Sequence, residues 1–298
     1  MEPMSLKATG RSRKRLRTNR IAQATAVFAA LIAVSLLGIL VLSVLLRAIP
    51  ALNIDFFTKG PPVFGAGGGG IAPALVGTGL LIVIATAMSV PIGVLVAIFV
   101  SEFASRRVGN QIRLALDVLN GFPSIVIGIF VFALVVKTKF LGVGHHQSVY
   151  AGSFALAIIM LPLVARTTME VLALVPNSLR DASTALGVPK WRTTLSIVLP
   201  TALGGIVTGT TLAVARAAGE TAPLLFTCSI AGSLVNWDPA TSVTSIPVTI
   251  FEYSEQADRH LNQQAWAAAF VLIAFVLATS LVSRLMLDRS RRKLGQTH

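Results

Sequence analysis

Six long apolar runs, separated by polar or glycine- and proline-rich stretches, set the pattern of this chain. They cover residues 21–46, 73–100, 114–136, 149–175, from 195 to a point between 217 and 226, and 265–287. Each supplies the roughly 20 predominantly apolar residues that a helix needs to cross a bilayer. The pattern predicts an all-α, polytopic membrane protein with six transmembrane helices. Pro91 predicts a kink in the second span. The intervening stretches read as loops: 47–72, 101–113, 137–147, 176–194 and 229–264. The first loop holds Pro61, Pro62 and the run from Gly67 to Gly70, which disfavour helix. No Gly-Lys-Ser/Thr follows the glycines, so they do not form a phosphate-cradling loop.

Composition supports the membrane reading. Only 12% of the 298 residues are charged and 54% are hydrophobic, with a mean hydropathy of +0.78. A soluble domain carries about 25% charged residues. The single cysteine, Cys228, excludes a disulfide scaffold, CxxC zinc sites and cysteine-held clusters. The first apolar run follows a basic segment, as in a secretory signal, but it exceeds the roughly 7–15 residues of such a segment. It reads as a retained first helix.

The net charge of +13 would suit nucleic acid, but its distribution argues for topology instead. Seven Lys and Arg lie in the first 20 residues: Lys7, Arg11, Arg13, Lys14, Arg15, Arg17 and Arg20. Five lie near the C-terminus: Arg284, Arg289, Arg291, Arg292 and Lys293. Loops 101–113 and 176–194 carry three each. The opposite side holds only Arg47, Lys59, Lys137, Lys139 and Arg259. With six spans, the positive-inside rule places both termini in the cytoplasm. The expected organisation is a basic tail over 1–20, a six-helix unit over 21–287 and a second basic tail over 288–298. The basic tail can also meet anionic lipid.

No catalytic constellation is present. Walker A, HExxH and GxSxG patterns are missing, and the adjacent His145 and His146 make a poor metal pair. The chain is therefore not expected to be an enzyme, to bind a metal or to hold a cofactor of its own.

Two features carry chemistry. The first is residues 179–200, LRDASTALGVPKWRTTLSIVLP. A helical first half breaks at Gly187, and Pro189 opens a second helix. This is either an amphipathic surface loop or a docking knob for a soluble partner. The second feature is charge within the spans, which is costly in hydrocarbon and marks function by default. Arg166 and Glu170 lie four apart, as do Arg216 and Glu220, so each pair shares a helix face and can neutralise itself. Arg166 can also snorkel to the interface, and Asp117 reads as interfacial. Residues 195–226 are too many for one straight span, so this segment starts late or bends at Pro200 or Pro223. Either choice brings Arg216 into the bundle, where its planar fork suits a phosphate or carboxylate.

The knob resembles the inner-membrane permeases of ATP-binding-cassette importers. Their pattern is Glu-Ala-Ala, three residues, Gly, nine residues, Ile-x-Leu-Pro. Here it reads Asp181-Ala182-Ser183, three residues, Gly187, nine residues, Ile197-Val198-Leu199-Pro200. Asp replaces Glu and Ser replaces the second Ala. The resemblance implies the type I importer permease fold, a bacterial inner-membrane location, and insertion of this segment into a groove on an ATPase subunit. Leu179, Asp181, Ala182, Ser183, Gly187, Lys190 and Trp191 would then couple the ATPase to the membrane helices.

Three further stretches narrow the resemblance to phosphate-specific importer permeases, closest to the A-type of the two permease subunits. They are AVARAAGETAPLLFT at 213–227, GFPSIVIG at 121–128, and RTTME at 166–170 running through VPNSLR at 175–180. The likeness covers about residue 73 to the C-terminus. It implies phosphate as cargo, alternating access, and a pathway including Arg216, Glu220, Arg166, Glu170, Pro123 and Ser124. It also implies a second permease, two ATPase subunits holding ATP and magnesium, and an extracytoplasmic phosphate-binding protein. A permease for sulfate or molybdate, an ion-gradient-driven transporter, and a membrane scaffold or signalling subunit remain alternatives.

Overall fold

A computed structural model describes residues 11–62, 68–138, 146–228 and 235–293. Lys7, Gly67, Lys139 and His145, singled out above, lie outside them. Among the described residues there is no β-strand. The helices in chain order are α1 (Arg11–Ala48), α2 (Ile54–Thr58), α3 (Ala72–Ile98), α4 (Arg106–Gly121), α5 (Ser124–Val131), α6 (Val149–Ala173), α7 (Asn177–Ala185), α8 (Lys190–Thr193), α9 (Leu199–Ala218), α10 (Ala222–Thr227), α11 (Ile246–Ser254) and α12 (Arg259–Lys293). Single π turns extend α3 (Phe99–Phe103) and α5 (Phe132–Val136), and a third (Thr194–Val198) joins α8 to α9.

Five helical runs are long and apolar enough to cross a bilayer: Lys14–Ala51, Ala72–Phe103, Val149–Ala173, Lys190–Ala218 and Arg259–Val282. The sixth span is a bent pair. The third apolar run, expected as one span over 114–136, turns by 95° between α4 and α5. Pro123 follows Phe122, and a residue before proline is pushed out of the helical region. Phe122 accordingly sits at φ −67°, ψ 136°. Pro91 and Pro162, by contrast, lie inside unbroken α3 and α6.

Other boundaries also move. The expected loop 101–113 contains the π turn that ends the second span and the first half of α4. The fifth span starts earlier than expected, because α8 runs through its π turn into α9 without a break at Pro200. It ends at Ala218, and the chain breaks there before α10. The expected loop 229–264 holds α11 and the start of α12.

The core forms where α3 and α6 lie side by side. Ser153 Oγ donates to the Leu81 carbonyl at 3.2 Å, Ser89 Oγ meets Met160 Sδ at 3.8 Å, and Gly93 faces Val164. Both numbers rise together, so the two helices are parallel, as two spans separated by one return crossing must be. Ala85, Ser89, Gly93 and Ala97 recur every four residues along α3, and all are buried. Small residues at this spacing let membrane helices approach closely, where lipid supplies no hydrophobic drive. Leu81, Leu156, Met160, Val164, Ala213 and Leu224 close the core around them. The first helix differs. Its apolar residues face all directions and are exposed from Leu16 to Leu40, and only near its end are Val44 and Ala48 buried. Such a helix suits hydrocarbon.

Candidate functional site

Two helix breaks meet in the bundle. One is the Phe122–Pro123 turn between α4 and α5, and the other is the Gly219–Thr221 segment between α9 and α10. Gly128 brings them together. A Cβ on Gly128 would lie 2.6 Å from Pro223 Cα, so α5 and α10 touch backbone to backbone. Only a residue without a side chain permits this approach.

Arg216 lies on the last turn of α9, beside the first break. Its Nη1 donates to Asn120 Oδ1 at 3.5 Å, on the last turn of α4. Its Nε lies 3.6 Å from Glu220 Oε1. Both contacts are loose, and the Arg216 side chain keeps 45% of its surface exposed against 16% for Glu220. Pro123 is exposed at the turn, and the partly buried Ser124 opens α5. The first turn of a helix leaves N–H groups without intrahelical partners and carries partial positive charge. An arginine fork and a helix start therefore lie at one discontinuity, an arrangement that favours transient contact with an anion.

Arg166 belongs to a second cluster. Gly209 faces Thr167 and Gly205 faces Val171, so α9 runs antiparallel to α6. Arg216 thus lies roughly 10 Å further along the bundle than Arg166, at 1.5 Å per residue. The closest partner of Arg166 is not Glu170, at 3.6 Å, but Asp117 on α4, at 2.5 Å. Asp117, read from the sequence as interfacial, bridges α4 to α6. These three line a cleft of about 260 Å³ with Arg113, Leu116 and Met169.

Residues 177–193 form the two short helices, broken at Gly187, that their spacing predicts. Gly187 has φ +74°, a left-handed conformation that disfavours any other residue. The turn closes with Gly187 N–H on the Thr184 carbonyl at 2.9 Å and Val188 N–H on the Ser183 carbonyl at 3.1 Å. This paired pattern satisfies the last carbonyls of α7. Leu179, Asp181, Ala182, Gly187, Lys190 and Trp191 are exposed. Ser183 is buried, and its hydroxyl meets Thr193 Oγ1 at 2.7 Å. It ties α7 to α8 rather than facing outward.

One pair escaped the sequence reading. Glu102, on the π turn below α3, has a side chain only 5% exposed and pairs with Arg180 of α7 at 2.8 Å. The partners are 78 residues apart, so no local spacing reveals them. Among the described residues no group of His, Cys, Asp and Glu is arranged to hold a metal ion. His146 hydrogen-bonds the Ala240 carbonyl at 3.0 Å.

The bundle holds helices long and apolar enough to cross a bilayer, with one bent by 95° at Pro123 and another continuous with two short helices that break at Gly187. Residues 89–296 match the family described as binding-protein-dependent transport system inner membrane component, and the chain belongs to that family. It is similar to the phosphate transport system permease protein PstA of Yersinia pestis, 36% identical over 278 residues, which span 93% of this chain and 92% of the relative. The PstA of Haemophilus influenzae is 38% identical over 246 residues, spanning 82% and 85%. A solved bacterial alginate ABC transporter shares the fold, with a TM-score of 0.63 at 11% identity, over 97% of this chain and 99% of that one. The fold is the type I importer permease fold, and the chain is a multi-pass inner-membrane component.

Proposed function

We propose that this chain is one of two membrane subunits through which an ATP-driven importer moves inorganic phosphate into the cell. The observation that carries this reading is Arg216, loosely tethered at the junction of two helix breaks. A guanidinium donates a planar fork that matches phosphate oxygens. Glu220 offsets part of its charge, which favours release over tight retention. Relatives named as phosphate permeases, 36% and 38% identical over most of this chain, favour phosphate over sulfate or molybdate. Pro123 and Ser124 shape the discontinuity, and Arg166 with Glu170 provides a second charged station nearer the knob.

A second permease completes the pathway, and an extracytoplasmic phosphate-binding protein delivers the ion. Two ATPase subunits hold ATP and magnesium and carry out hydrolysis. One of them receives the exposed residues of α7 and α8, and its closure drives alternating access. The knob and the basic ends lie on the cytoplasmic side. Lys14, Arg15, Arg17 and Arg20, all exposed, hold the N-terminus there and lie where they can meet anionic lipid.

The test is phosphate uptake in proteoliposomes holding this chain with its candidate partners, each omitted in turn. Uptake that requires internal ATP and every part supports the reading. Uptake by this chain alone under an ion gradient refutes it.

A further inference from the structure

The knob is joined by the chain itself to the fourth and fifth spans: Pro176 links α6 to α7, and α8 continues into α9. It has no such link to the second span or to the bent third span. The structure supplies one through side chains. Arg180 Nη2 and Nε donate to Glu102 at 2.8 and 3.2 Å, across to the π turn that ends α3. The same guanidinium donates to the carbonyls of Leu172 at 3.0 Å, in the last turn of α6, and of Val175 at 2.7 Å, just past it. One planar fork thus gathers the end of α3, the end of α6 and the start of α7. The second knob helix reaches the same π turn. Lys190 Nζ lies 5.8 Å from the centre of the Phe103 ring, within cation–π range.

We propose that Glu102 and Arg180 form a coupling clamp, a positioning pair that carries knob movement into the second span and the bent third span. This rests on the import reading above. Three observations argue for it. Glu102 is almost wholly buried, and a buried ion pair seldom stabilises more than apolar packing would, so its value lies in fixing one arrangement. The π turn adds a residue to the helical repeat at this one place, and such insertions concentrate at functional positions. Only Ala104 and Ser105 separate the π turn from α4. A shift of Glu102 therefore moves α4, which carries Asp117, Asn120 and the Phe122–Pro123 break. The path runs from the knob through Glu102 to the discontinuity beside Arg216.

The test uses the reconstituted complete importer and three variants, Glu102→Gln, Glu102→Asp and Phe103→Leu. Three quantities are measured: ATPase subunit co-purified per permease, ATP hydrolysed, and phosphate moved per ATP. With normal assembly, Glu102→Gln is expected to lower phosphate per ATP roughly threefold or more, with Glu102→Asp intermediate. Phe103→Leu lowers it in the same direction through an independent contact. Phosphate per ATP equal to wild type overturns the clamp, as does uptake that falls only in proportion to assembled complex. If Glu102→Gln does not assemble, Phe103→Leu decides by the same ratio. A wild-type complex without ATP-dependent phosphate uptake refutes the import reading itself, which is a separate result.

Discussion

The contact between Gly128 and Pro223 offers a sharp test, because it asks one methyl group to separate two helix breaks. In Gly128→Ala the new Cβ would lie 2.6 Å from Pro223 Cα and 3.2 Å from both Pro223 Cβ and its carbonyl oxygen. Carbon atoms rest at about 3.5–4.0 Å, so α5 and α10 must part by about 1 Å. The obstruction is backbone, and no rotamer relieves it. Overpacking of this kind costs about 1–3 kcal/mol. If α10 gives way, the Gly219–Thr221 segment moves with it, and Arg216 leaves its place beside Asn120. A misplacement of about 1 Å at an aligned site can cost up to ~100-fold in rate. The assay is the initial rate of phosphate uptake at matched expression, with thermal unfolding of the purified complex. The control is Gly79→Ala on α3, where an added Cβ meets nothing within 4 Å. Uptake should be unchanged there, and the helix should gain about 0.5–1 kcal/mol. Wild-type uptake and wild-type unfolding in Gly128→Ala would refute the reasoning, and so would equal damage from both variants.

Other expected outcomes follow from the same geometry. Arg216→Gln removes a charged donor worth about 1.5–3 kcal/mol, so phosphate uptake should fall roughly tenfold or more while the partners still co-purify. Unchanged uptake across phosphate concentrations would remove Arg216 from the pathway. Gly187→Pro meets φ +74° with a ring fixed near −65° and deletes the N–H that reaches Thr184. Membrane insertion should survive, and ATP hydrolysis should no longer drive uptake; normal uptake would remove the knob from coupling. Ser183→Ala should be mild, at about 1 kcal/mol, because Thr193 Oγ1 also reaches the Pro189 carbonyl at 3.4 Å. The readout is a small fall in the unfolding midpoint with uptake retained, and a large uptake loss would show that the hydroxyl does more than tie α7 to α8.

The features legible from sequence are the local ones. The apolar runs marked where the chain crosses the membrane, because hydrocarbon demands about 20 apolar residues at each crossing. Residues 179–200 announced two short helices with a break, since Gly187 permits a left-handed turn and Pro189 fixes φ for a new helix start. The spacing of four put Glu220 near Arg216, and the two are 3.6 Å apart although Glu220 lies just past the end of α9. Proline marks where such reading ends. Pro91 and Pro162 are carried inside helices, whereas Pro123 turns the chain by 95°. Neighbouring helices can absorb the lost hydrogen bond or leave it to break, and the hydropathy of a window cannot tell which. The partners of the charges were equally hidden. Asp117 meets Arg166 across 49 residues, Glu102 meets Arg180 across 78, and Asn120 meets Arg216 across 96. Each pairing depends on which helix faces which, and small-residue packing between α3 and α6 and around Gly128 decides that. The sequence by itself determined the number of crossings, the position of the knob and the identity of the charged residues. Only the tertiary structure decided how those charges combine, because contacts between distant helices are set by close packing rather than by spacing along the chain.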